Sequence, residues 1–305
     1  MILTDMTNIG DPQILLHEGT YYCYATYGDG KTEGFYVWSS QDLKHWSEPK
    51  MAFRAIDSWG MINFWAPEVV EHNGKFVMHY SAKSRELNSL RIGVAVADHP
   101  EGPFQDVHGK PMFDLGYPTI DGSVLRCEAG NFFYYSRDCS GNIIDGVMTS
   151  QVYCVRMNDD LTEVVGEHVL MTTPTEPFEL KSYDYPYKNG IPHIWNEGPT
   201  VWKHGDKYIM NYSANYYATN DYAICMAVAD DPFGPWVKPA HNPVLSQRSD
   251  LFGAGHNAFF VTKEGELFTS FHVQTYPEKP SPNRRTVIGK VVFTEKDGQI
   301  YQDIM

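Results

Sequence analysis

Four carboxylates and one histidine stand at comparable places along the chain. They are Asp11 ahead of Pro12, Glu68 in Trp65-Ala66-Pro67-Glu68, Asp121 ahead of Gly122-Ser123, Glu197 in Trp195-Asn196-Glu197-Gly198-Pro199, and His256 ahead of Asn257. Any one acidic residue at the end of a strand is ordinary turn chemistry. Recurrence at the start of successive units points instead to a shared pocket. Carboxylates crowded together do not titrate alike: like charge and apolar surroundings keep one protonated near neutral pH while another stays ionised. Glycoside hydrolysis needs that pair, an acid for the leaving oxygen and a carboxylate to activate water. Glu197, flanked by Trp195 and Pro199, is the best candidate for the acid. Asp11 is the best candidate for the base, and Asp121 for a residue that holds Glu197 and biases its protonation.

The elements that must position these residues are short strands. Each unit opens with an apolar stretch, turns, and returns as a second stretch that alternates aromatic and polar residues. The turns include His17-Glu18-Gly19-Thr20, His72-Asn73-Gly74-Lys75, Glu128-Ala129-Gly130-Asn131, His204-Gly205-Asp206-Lys207 and Lys263-Glu264-Gly265-Glu266. The outer part of the second unit, Ile92 to Asp98 with Gly102-Pro103-Phe104, is repeated in the fourth as Ala223 to Asp230 with Gly234-Pro235-Trp236. Five units of about four strands each, with no helix longer than a turn or two, predict an all-β, five-bladed β-propeller, a single domain over residues 1–305. Inner strands of such a fold line a central channel, so their first residues converge on one mouth.

Composition bounds the partners. Aromatics make up 14% of the 305 residues, with 20 Tyr and 7 Trp, which suits strand surfaces and the apolar faces of sugars. A net charge of -14 with scattered cations argues against nucleic acid and anionic membranes as partners. No apolar run reaches membrane length and no basic-then-apolar leader opens the chain. Cys23, Cys127, Cys139, Cys154 and Cys225 are odd in number and lack a C-x-x-C pair, so they read as reduced, buried residues and favour a cytoplasmic location; a secreted or periplasmic one applies if a leader was removed.

The ordered set Gly10-Asp11-Pro12, Ser40-Gln41-Asp42-Leu43-Lys44-His45-Trp46, Trp65-Ala66-Pro67-Glu68, Ile120-Asp121-Gly122-Ser123, Asn196-Glu197-Gly198-Pro199, Asp231 to Trp236 and Gly255-His256-Asn257 resembles the family 43 glycoside hydrolases. It spans nearly the whole chain. The resemblance implies a five-bladed propeller that inverts the anomeric centre by single displacement, with Asp11 as general base, Asp121 orienting the acid and Glu197 as general acid. It further implies that Arg285 contacts substrate hydroxyls, with Arg284 as the alternative because strand alternation sends only one of the two inward. His256 matches a histidine near the channel axis, where Ca2+ or another ion could sit; no cofactor is required for the chemistry. Glu68 is placed as a binding or structural residue. Trp65 is placed as a sugar platform, with Phe35 and Trp195 as added walls.

The family mainly cleaves α-L-arabinofuranosides and β-D-xylosides, so the expected substrate is an oligo- or polysaccharide ending in one of these pentoses. A galactoside-cleaving member and a non-catalytic glycan-binding propeller are the alternatives. A fructoside-acting relative fits poorly, since Asn8 is not adjacent to Asp11 and Arg137-Asp138 is followed by Cys139. The long segment Thr172 to His193, rich in Pro and Tyr, predicts a loop that walls off one end of the pocket and gives exo action.

Overall fold

The computed structural model describes residues 1–184, 190–248 and 250–305, nearly all of them strands and the turns between. Five antiparallel sheets follow one another along the chain as the blades of a propeller. The first is Ile9–His17, Thr20–Tyr27, Gly34–Ser40 and Lys50–Arg54, and the second is Gly60–His72, Lys75–Ser84, Leu90–Ala97 and Gln105–Asp106. The third is Thr119–Cys127, Gly130–Arg137, Gln151–Met157 and Val164–Thr172. The fourth has three strands, Asn196–His204, Lys207–Ala214 and Ala223–Ala229. Its expected outer strand is reduced to isolated bridges at Val237 and Leu245, because Pro235, Pro239 and Pro243 remove the donors a ladder needs.

The fifth blade is built from both ends of the chain. Gly255–Val261, Leu267–Gln274 and Arg284–Lys296 are joined on the outer edge by the N-terminal strand Ile2–Thr7 and by Gln299–Ile304, so the first and last strands close the ring. The five inner strands each touch the next around the axis.

The apolar cores lie between blades. Phe35, Phe53, Phe64, Phe76 and Tyr80 fill the space between the first and second, and Tyr134, Tyr208, Met210 and Tyr212 that between the third and fourth. The duplicated outer segments have a structural use. Tyr24 Oη donates to Pro100 O at 2.5 Å and Tyr134 Oη to Pro232 O at 2.6 Å, so each repeat receives a buried tyrosine from the preceding blade.

One backbone device recurs in all five inner strands. Pairing with the second strand slips after Gly10, Trp65, Ile120, Glu197 and Gly255, and the next residue in each case, Asp11, Ala66, Asp121, Gly198 and His256, has φ between 44° and 58°. This is a β-bulge, which turns the side chain and leaves an N–H off the ladder. The preceding blade satisfies that N–H every time. Thr26 Oγ1 accepts from Ala66, Ser81 Oγ from Asp121, Ser136 Oγ from Gly198, Ser213 Oγ from His256 and His272 Nδ1 from Asp11, at 2.7–3.1 Å. These five acceptors occupy one equivalent position, each opposite the residue before the bulge.

The bulges revise the sequence alignment of the five site residues. Asp11, Asp121 and His256 are equivalent, but Glu197 precedes the fourth bulge and Glu68 follows the second by two residues. A bulge is a backbone feature, and the chemical similarity of the acids concealed the offset.

Candidate active site

The bulged ends open into a cavity of about 530 Å3 whose walls include Asp11, Trp65, Asp121, Trp195, Glu197 and His256. Six of the residues singled out in the sequence therefore meet, from all five blades. Glu68 does not join them. Its two-residue offset carries it into a narrow channel of about 10 Å3 beneath, with Asp11, Asp121 and His256 at the shared boundary. There Glu68 Oε1 accepts from Val124 N at 2.9 Å, and burial pushes its carboxyl up to about 7.

Phe35 is not a cavity wall. It is 1% exposed and packs against Phe53, Phe64 and Tyr80 in the core between blades, because strand alternation turns it inward. The arginine assignment also changes. Arg284 lines the cavity and its Nη1 donates to Asp11 Oδ1 at 2.8 Å, whereas Arg285 falls on the other side of the strand. Gly10 makes room for this contact: a Cβ there would lie 1.9 Å from Arg284 Cζ.

Asp11 is ringed by positive and donor groups. Thr26 Oγ1 donates to Oδ2 at 2.5 Å, and the Nδ1 atoms of His256 and His272 each lie 3.4 Å from Oδ1. Burial alone would raise this carboxyl, but the Arg284 guanidinium above all, with His256 and the Thr26 hydroxyl, outweighs it and holds the group well below the usual carboxylate range. Asp11 is therefore an ionised carboxylate throughout the physiological range. His272 itself is fully buried, and burial with the nearby Arg284 depresses it strongly, so it accepts the Asp11 N–H as a neutral imidazole.

Glu197 has the opposite environment. It is 7% exposed, and burial together with the charges of Asp121, Asp138 and Asp11 raises it well above the ordinary value. Tyr222 Oη donates to Oε1 at 2.9 Å and opposes the rise; no other described residue hydrogen-bonds this carboxyl. The tyrosine ring needs Gly255, where a Cβ would sit 2.1 Å from it. Asp121 acts between the two. Its Oδ2 accepts from Gly198 N at 3.2 Å, which fixes the backbone immediately after the acid. Burial raises Asp121 to about 6, a shift limited by His256 and the Gly198 N–H and reinforced by Asp11 and Asp138.

The long segment before the acid is anchored from below. Glu179, with no exposed surface, accepts from Lys238 Nζ at 2.6 Å and from Tyr212 Oη at 2.7 Å, and Lys238 also donates to Asn196 Oδ1 at 3.0 Å. Tyr183 packs on Trp195 and Tyr216 behind the cavity wall. Tyr185, Pro186 and Tyr187 lie outside the described residues. Among those described, no group of three or more His, Cys, Asp and Glu side chains is placed to hold a metal, so no direct ligand set accompanies His256. No described helix is long and apolar enough to cross a membrane.

Sequence reasoning missed Tyr222, Arg284 as first choice, and Asp138, which also lines the cavity. Strand alternation gave an even choice between the two arginines, and neither Tyr222 nor Asp138 belongs to the recurring set.

Comparison with known proteins places this architecture. The model of the Glycosyl hydrolases family 43 matches residues 6–300. A "Beta-D-galactofuranosidase xynD" of Aspergillus niger is 24% identical over 302 residues, covering 93% of this chain and 79% of the relative. An "Arabinoxylan arabinofuranohydrolase" of Paenibacillus polymyxa is 26% identical, covering 87% of this chain but 45% of the relative, so the chain spans about half that protein's length. A solved structure of a thermostable family-43 glycoside hydrolase superposes with a TM-score of 0.87 at 40% identity, covering 98% of this chain and 94% of the other.

Proposed function

Because the chain belongs to glycosyl hydrolase family 43, we propose that it is an inverting, exo-acting glycoside hydrolase that releases a terminal pentose, α-L-arabinofuranose or β-D-xylose, from plant-type oligo- or polysaccharides. One observation carries the mechanistic part: within a single cavity the environments of two carboxylates are driven apart, Asp11 towards the ionised form and Glu197 towards the protonated form. Glu197 then protonates the leaving oxygen while water attacks the opposite face of the sugar and gives its proton to Asp11. Asp121 orients the acid through the Gly198 N–H and biases its protonation by charge. Arg284 holds the base in place and offers its remaining donors to sugar hydroxyls. Trp65, fixed by its Nε1 donating to Asp29 O at 3.1 Å, serves as an apolar platform.

The anchored segment before Trp195 supports a cavity closed on one side and hence exo action. An ion in the channel near His256 would act by charge on Asp11, and none of the steps above is routed through it. The unpaired cysteines support a cytoplasmic site of action, with a secreted or periplasmic one if a leader was removed. The name of the Aspergillus niger relative favours a second reading, a terminal galactofuranose. Kinetics of wild type and Glu197→Gln on aryl α-L-arabinofuranoside, aryl β-D-xyloside and aryl galactosides test the proposal. Glu197→Gln should lose cleavage of poor leaving groups while sparing much of the rate on activated aryl groups. Equal loss on both would remove Glu197 from the acid role.

A further inference from the structure

On the second strand of each blade, the position two residues past the bulge-capping acceptor is occupied by Gly28, Lys83, Asp138, Asn215 and Gln274. Lys83 and Asp138 line the cavity. Asp138 is only 6% exposed. Its Oδ1 is taken up by the short turn Cys139–Gly141, accepting from Ser140 N at 3.0 Å and from the Ser140 hydroxyl. The turn is fixed in its own right, with Asp138 N donating to Pro118 O and Asn142 Nδ2 to Thr149 O and Gln151 Oε1. The Cys139 N–H also approaches the carboxyl, and no described side chain donates to Oδ2. Oδ2 is not sealed in the protein and stays reachable from the cavity that Asp138 lines, where it can accept a hydrogen bond from a bound molecule.

We propose that Asp138 is a sugar-binding residue of this cavity, its open oxygen Oδ2 accepting a hydroxyl of the bound glycone beside Glu197. The inference rests on reading the cavity as a glycoside site. A hydroxyl suits the position because it donates one hydrogen bond without bringing charge into a cavity that already holds Asp11, Asp121 and Glu197. The same carboxylate adds negative charge near Glu197, which favours the protonated acid.

Asp138→Asn separates sugar binding from capping of the turn. The amide keeps an acceptor for Ser140 and nearly the same volume, but presents a donor or a neutral acceptor to the sugar. Asp138→Ser likewise keeps a capping oxygen but withdraws the reach into the cavity. Both variants should keep the wild-type melting temperature within a few degrees and lose about 10- to 100-fold in kcat/KM on the aryl glycosides, the scale of a hydrogen bond to a charged group. In a Glu197→Gln background, which should not turn over poor leaving groups, calorimetric affinity for methyl α-L-arabinofuranoside and methyl β-D-xyloside should fall when Asp138→Asn is added. Activity and affinity within twofold of the parent would overturn the proposal and leave Asp138 as a cap alone. If wild type cleaves none of the glycosides, the hydrolase reading fails by itself. Affinities of wild type and Asp138→Asn for L-arabinose, D-xylose and D-galactose then decide, and equal values, including no binding by either, would overturn the role of Asp138.

Discussion

Gly10→Ala is expected to disable the base without touching a titratable group. The added methyl would lie 1.9 Å from Arg284 Cζ and within 2.3 Å of both terminal nitrogens, against an ordinary contact of 3.4 Å or more. The guanidinium must retreat by about 1.5 Å or the inner strand must shift, and either movement breaks the 2.8 Å contact with Asp11. Both partners are buried, and separating such a pair leaves an uncompensated charge, a loss of about 3 to 5 kcal/mol. For a chain of this length that corresponds to a fall in melting temperature of about 5 to 8 °C. Displacing a positioned group by an ångström or more costs about 100-fold in rate, so kcat/KM should drop on that scale. The pH dependence has a definite sign. Asp11 is depressed in the folded protein, so its contribution to stability is present above the unfolded value and is lost as pH falls towards the folded one. The stability gap between wild type and Gly10→Ala should therefore be widest at neutral pH and shrink below about pH 4. Scanning calorimetry from pH 3 to 7, with aryl glycoside kinetics at each pH, measures both. A variant with wild-type melting temperature and rate would refute the Arg284–Asp11 account.

Tyr222→Phe removes the donor that opposes the raised Glu197, so the basic limb of kcat/KM should move to higher pH; an unmoved limb would remove Tyr222 from the control of the acid. Glu179→Gln leaves Lys238 buried without its charged partner and should cost about 3 to 5 kcal/mol in denaturant unfolding, with a reduced kcat because Lys238 also holds Asn196 next to the acid. Trp65→Ala should raise KM on each glycoside that is cleaved, with folding intact, and an unchanged KM would assign the ring to the wall alone.

The parts of this architecture legible in the sequence are those that repeat. Turns, alternation and the duplicated outer segments reveal blades, and acids at the heads of inner strands reveal a site, because each is a local pattern. What escaped is set by backbone geometry or by pairing across the whole chain. No turn or repeat in the sequence assigns Ile2–Thr7 to a blade, yet it completes the last one against Arg284–Lys296, almost the full sequence away. The bulges decide which residue faces the cavity, and a one-residue slip sends a neighbour to the opposite side. That is why Glu68 sits beneath the cavity rather than in it, and why Trp65, at the position equivalent to Glu197, faces it. Phe35 looked like a cavity wall because an aromatic near a strand start serves equally well as wall or core, and only the adjoining blade distinguishes the two.

The stereochemistry of the first product formed tests the central claim most directly. Proton NMR of wild type acting on the best aryl glycoside, recorded before mutarotation, should show the anomer inverted relative to the substrate, as single displacement with Asp11 as base and Glu197 as acid requires. Initial release of the retained anomer would contradict it, since it would need a covalent intermediate and a nucleophile in place of a base.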